Sequence, residues 1–114
     1  MKIGQAAKKF SVPVTSIYYY IKHGLLVPPV NRGQYNFDEK TLSDLEWLLE
    51  LKKMEFPLEV IHRLLSLRRI SGLAPQEDRE EVLRLFAEQD TALGERIETL
   101  ARAQQVLRSS MSMF

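Results

Sequence analysis

The sequence predicts a mainly α-helical chain: four short helices with a small β-hairpin among them, then one long helix. Three observations predict it. Apolar residues recur at helical spacing in four stretches before residue 70, and prolines and glycines punctuate the gaps between them. Residues 27–37 interrupt that spacing with Pro28-Pro29 and the turn-forming Asn31-Arg32-Gly33. From Gln76 to about Ser109 there is no proline and only one glycine, Gly94, so a single helix of roughly 50 Å is expected.

In chain order, Ile3, Ala6, Ala7 and Phe10 share one face opposite Lys8 and Lys9, which predicts a first helix. Ser11-Val12-Pro13 breaks it. Pro13 has a preset φ and no amide to donate, which suits the opening of a second helix, and Thr15 or Ser16 can satisfy that helix's free amides. The second helix is expected to reach about His23, with Gly24 in the left-handed position that closes it. Two short helices across a three- or four-residue turn form a helix-turn-helix. Residues 27–37 read as a short hairpin, or wing.

Asp38 is a good N-cap for a third helix, whose apolar positions are Leu42, Leu45, Leu48, Leu49 and Met54 and which Glu55-Phe56-Pro57 stops. Pro57 starts a fourth, with Leu58, Ile61, Leu64 and Leu65 as its buried stripe and Arg68-Arg69 favourable at its C-terminus. The predicted organisation is a winged helix-turn-helix over 1–69, a linker over 70–75 and a dimerisation helix over 76–110. In that last helix Val82, Phe86, Leu93, Ile97, Leu100, Leu107 and Met111 step by four and three, interrupted by Gln89 and Gln104. Such a heptad seam calls for a partner helix, since a helix this long overshoots the body formed by residues 1–69. The expected interface is Phe86, Leu93, Ile97, Leu100, Gln104 and Leu107.

Composition excludes several classes. The longest apolar stretches fall far short of the roughly 20 residues needed to cross a bilayer, so no membrane role is expected. Met1-Lys2 leads straight into a polar helical pattern rather than a signal peptide, and with no cysteine nothing contradicts a cytoplasmic location. His23 and His62 stand far apart with no cysteine partner, so no metal is expected. There is no Gly-rich phosphate loop and no histidine near a Ser-Asp arrangement, so the chain reads as a non-enzyme without a cofactor. Residues 1–69 hold eleven Lys and Arg against seven Asp and Glu, a net +4, and residues 70–114 hold five against eight, a net −3. Residues 1–37 hold no acid at all, which points to a polyanion as partner.

The run Ile17-Tyr18-Tyr19-Tyr20-Ile21 concentrates that implication. A helix advances about 100° per residue, so three consecutive tyrosines cannot all face a core. Val14, Ile17 and Ile21 are expected inside, leaving Thr15, Tyr18, Tyr19 and Lys22 as a DNA-reading surface, with Thr15 and Tyr18 near base edges and Lys22 on the backbone. Tyr20 is expected to pack under the wing with its hydroxyl tied to a neighbour. Lys52 and Lys53 read either as contacts to flanking phosphates or as a solvated helix end, and Trp47 as core or as the lining of a junction.

In its motifs the chain resembles the MerR family of bacterial transcription regulators. Ile3-Gly4-Gln5-Ala6-Ala7-Lys8 is similar to the family's opening Ile-Gly and small-residue helix. Val12 to Ile21, followed by Gly24-Leu25-Leu26 and Pro28-Pro29, keeps the spacing of its Val-Ser-x-x-Thr-Ile-Arg-Tyr-Tyr-Glu and Gly-Leu-Leu pattern. Phe56-Pro57-Leu58-Glu59-Val60-Ile61 looks like the family's entry to its fourth helix. The resemblance departs where relatives carry arginine before the tyrosine pair, here Tyr18, and glutamate after it, here Ile21. The wing's Gly-Tyr-Arg becomes Gly33-Gln34-Tyr35, with Arg32 just upstream as a replacement.

What the resemblance implies is a homodimer, joined by an antiparallel coiled coil, on double-stranded promoter DNA. Tyr19 matches a phosphate-contacting tyrosine, and the expected contact set is Thr15, Ser16, Tyr18, Tyr19, Lys22, Arg32, Gln34, Tyr35 and Lys53. Two recognition helices about 34–36 Å apart would enter successive major grooves of a pseudo-palindrome. Regulation by bending and untwisting the promoter, with RNA polymerase as a further partner, follows from the same resemblance. Two other classes stay open at this point: an architectural, chromosome-organising or phage DNA-binding factor, and a protein-interaction adaptor on the same fold.

Overall fold

Three of the five helices begin directly after a proline. The computed structural model describes residues 1–114 as α1 (Ile3–Phe10), α2 (Val14–Lys22), β1 (Val30–Asn31), β2 (Gln34–Tyr35), α3 (Glu39–Lys53), α4 (Leu58–Ser71) and α5 (Gln76–Met111). Pro13, Pro57 and Pro75 occupy the N-cap positions of α2, α4 and α5 with φ near −60°, and no side chain caps any of the three. Thr15 and Ser16 therefore do not cap α2, contrary to expectation. The Pro13 carbonyl takes the amides of Ser16 and Ile17 instead, at 3.1 and 3.4 Å, and the hydroxyls stay available.

Ser11, left-handed at φ 55°, closes α1 and opens the turn into α2. At the far end of α2, Gly24 sits at φ +73°, and a Cβ there would lie 3.3 Å from His62 Nε2, so both backbone and space select glycine. The amide of Leu25 then donates to the Tyr20 carbonyl at 2.8 Å. The hairpin pairs Val30 with Tyr35 and Asn31 with Gln34 around Arg32-Gly33. Both turn residues have positive φ, 52° and 76°, as a type I′ turn requires.

Asp38 caps α3 as expected, accepting from the Thr41 amide at 2.9 Å and hydroxyl at 2.7 Å. The hydroxyl bond is the main cause holding its carboxyl below the usual 3.8, with the amide second. The buried face of α3 is Thr41, Asp44, Leu45, Leu48 and Leu51, while Leu42 and Leu49 are half-buried and Met54, just past the last turn, is exposed. In α4 the stripe is Ile61, Leu64, Leu65 and Leu67, and Leu58 is exposed because it opens the first turn. That helix continues two residues past Arg69 into the expected linker. It ends where Gly72 (φ +65°) donates to the Arg68 carbonyl at 2.8 Å.

The chain divides into two compact units, Met1–Leu73 and Ala74–Phe114. Every buried residue belongs to the first, whose centre holds Ile17, Phe37, Leu45, Leu48, Ile61 and Leu64. The second is α5, 36 residues or roughly 54 Å long, with no buried residue. No helix is long and apolar enough to cross a membrane.

Candidate nucleic-acid interface

The tyrosine run divides as helix geometry demands. Tyr20 is 4% exposed and lies beside fully buried Ile17, whereas Tyr18 and Tyr19 keep 49% and 43% of their surface. Thr15 and Lys22 are exposed with them, so the outer face of α2 carries the four residues read as its contact surface. Val14 is exposed rather than core and Ile21 only half-buried, because the buried stripe centres on Ile17 and Tyr20 and the first turn of α2 extends beyond it.

The tyrosines have different partners from those expected. The Tyr20 hydroxyl accepts from Lys52 Nζ at 3.1 Å, and that ammonium also lies 5.3 Å from its ring centre, so α3, not the wing, holds Tyr20. The wing meets Tyr18 instead. The Tyr18 and Tyr35 rings stand 6.4 Å apart, edge to face, two positions round the helix from Tyr20. Tyr19 stacks at a tilt on His23 with centroids 4.2 Å apart.

The expected contact residues fall into separate neighbourhoods. An open groove of about 550 Å³ joins Tyr18, Gln34 and Tyr35 to Lys2, Gly4 and Gln5 at the start of α1. Arg32 is exposed at the hairpin tip. Ser16, half-buried, lines a different groove with Glu46, Glu50 and Lys53. There Lys53 pairs with Glu50 at 3.1 Å, an exposed pair of small worth. Tyr19 and His23 share a third depression with Glu59, so the acid-free N-terminal sequence is not acid-free in space.

One cluster was invisible to the sequence reading. Buried Asp44 on α3 accepts from Arg68 Nη2 at 2.7 Å and stands 3.7 Å from Arg69 Nε. Arg69 Nη2 also donates to the Leu25 carbonyl at 2.9 Å, one residue past Gly24, and so fastens the segment that closes α2. Arg68 lies 4.6 Å over the Trp47 ring, which accounts for that half-buried tryptophan. From the sequence alone the adjacent arginines signal only a favourable helix end. No three His, Cys, Asp or Glu side chains gather as metal ligands.

In α5, Ile97, Leu100 and Leu107 are 67%, 65% and 60% exposed. Gln104 is exposed between them, and Phe86 and Leu93 are half-buried. These residues follow the four-and-three stepping along one side of the helix.

The model of the MerR HTH family regulatory proteins matches residues 1–68. Among solved structures, the chain is similar to HiNmlR, a MerR family regulator lacking the sensor domain, bound to promoter DNA. That similarity has 26% identity and a TM-score of 0.68 over 97% of this chain and 86% of that one. A MerR family transcriptional regulator from Bacillus thuringiensis is similar at 23% identity and a TM-score of 0.67, over 100% of this chain and 98% of that one, and supports the fold alone. None of the curated proteins compared matches.

Proposed function

The chain belongs to the MerR family of helix-turn-helix regulatory proteins, and on that premise we propose that it is a DNA-binding transcription regulator acting as a homodimer on a pseudo-palindromic promoter site. The observation that carries this reading is the outer face of α2. It holds out Thr15, Tyr18, Tyr19 and Lys22 beside a hairpin tip with Arg32, and residues 1–37 are free of acids. Promoter-bound HiNmlR supports DNA as the partner.

In this reading α2 enters the major groove, Lys22 and Tyr19 meet phosphates, Thr15 and Tyr18 approach base edges, and the hairpin reaches the flanking backbone through Arg32, Gln34 and Tyr35. Lys53 and Ser16 stand apart and are secondary contacts. The exposed seam Ile97, Leu100, Gln104 and Leu107 pairs with a second copy, which sets two copies of α2 on one face of the duplex. Distortion of the promoter then exposes it differently to RNA polymerase, with a deformation cost that depends on sequence.

The test is binding to random and to selected duplexes across a range of salt. A regulator gives a steep salt slope and a preference for selected sites of at least about a thousandfold. A slope without preference identifies an architectural protein, and neither identifies an interaction module. Replacing Tyr19 and Lys22 together by Ala is expected to abolish selective binding with the dimer intact; unchanged affinity would sink the site assignment.

A further inference from the structure

We propose that Tyr18 is the specificity-determining residue of this surface and that it reads the 5-methyl group of a thymine. This deepens the DNA-reading function above and rests on it. The Tyr18 ring is half exposed on the outer face of α2, and the Tyr35 ring braces it from the wing at 6.4 Å with the planes 61° apart. A braced aromatic offers a fixed apolar surface, and the thymine methyl is the apolar feature of a major-groove base edge.

The surroundings disfavour direct reading of guanine or cytosine. The groove beside Tyr18 is lined by Ile3, Gly4 and Gly33, with the amides of Gln5 and Gln34 and one cation, Lys2. Gln5 already accepts from the Lys2 amide at 2.8 Å. No guanidinium stands in that groove to bond guanine O6 and N7 in pairs, and no carboxylate to accept from cytosine N4. The single ammonium of Lys2 suits a phosphate at the groove's edge.

The experiment titrates the full chain with a selected duplex in which each thymine in turn is replaced by deoxyuridine, which removes the methyl and keeps the base pairing. One symmetry-related position is expected to lose about fourfold in affinity per half-site, the worth of one methyl-sized contact. Tyr18→Phe keeps this sensitivity, Tyr18→Ala abolishes it with the circular dichroism of the parent, and Tyr35→Ala reduces it. Equal affinity for every deoxyuridine duplex, or a sensitivity that survives Tyr18→Ala, overturns the assignment and leaves the regulator function standing. Failure to select any duplex overturns both.

Discussion

The two compact units of this chain bury their apolar residues on opposite terms. Met1–Leu73 encloses a core of its own, with Leu45, Leu48, Ile61, Leu64 and Leu65 fully buried, and satisfies the one carboxylate it buries with two arginines. Ala74–Phe114 encloses nothing, and Ile97, Leu100 and Leu107 stay open along its single helix. Helices in water draw most of their stability from packing an apolar face, which the first unit does within itself and which the proposed dimer would supply to the second. The charge divides along the same line, basic before residue 70 and acidic after it. In the proposed reading the first part meets DNA and the second is covered by another copy of the chain.

Substitutions on either side sharpen that contrast. Leu64→Ala is expected to cost the first unit about 2–5 kcal/mol in urea unfolding, as a fully buried leucine should. Ile97→Asp is expected to weaken self-association about a hundredfold or more, roughly 2.7 kcal/mol, in sedimentation equilibrium. It should leave the unfolding of the first unit unchanged, and a dimer that persists would move the interface off the seam. Asp44→Ala strands Arg68 and Arg69, which keep part of their solvent exposure, so about 1–3 kcal/mol is expected rather than the larger cost of a fully buried pair.

The smallest effect concerns Asp38. Its folded-state pKa lies below the ordinary value, chiefly through the Thr41 hydroxyl, so its stabilisation is fully present above pH 3.8 and is lost as pH falls through the lower folded value. Asn caps a helix about as well as Asp and does not titrate. Asp38→Asn is therefore expected to change stability at pH 7 by only a few tenths of a kcal/mol. Urea midpoints measured from pH 5 to pH 2 should then show a shallower acid loss than in the parent.

Much of the fold was legible because local chemistry marks its boundaries. Pro13, Pro57, Asp38, Gly24 and Asn31-Arg32-Gly33 each impose a start, a stop or a turn regardless of what lies across the molecule. The phase of each buried stripe was less legible at helix ends. Leu58 and Met54 fit the period but sit at the first turn of α4 and just beyond α3, where no layer covers them, and Leu51 and Leu67 take the buried places instead. Within the candidate site, the division of the tyrosine run into one buried and two exposed rings follows from helical rotation. Their partners do not, because Tyr20 with Lys52, Tyr18 with Tyr35 and Asp44 with Arg68 join residues that no sequence spacing relates.

The bond from Arg69 to the Leu25 carbonyl spans 44 residues, so the segment that closes α2 is fastened by a side chain made long after it. Contacts of such separation form only once the intervening chain has collapsed. During synthesis, α2 can coil and close on the Leu25 amide as soon as that residue has emerged, but the bond from Arg69 is added only when the whole of α3 and nearly all of α4 have followed. A chain that stops short of Arg69 thus carries the tyrosines of α2 without this bond to the segment that closes the helix.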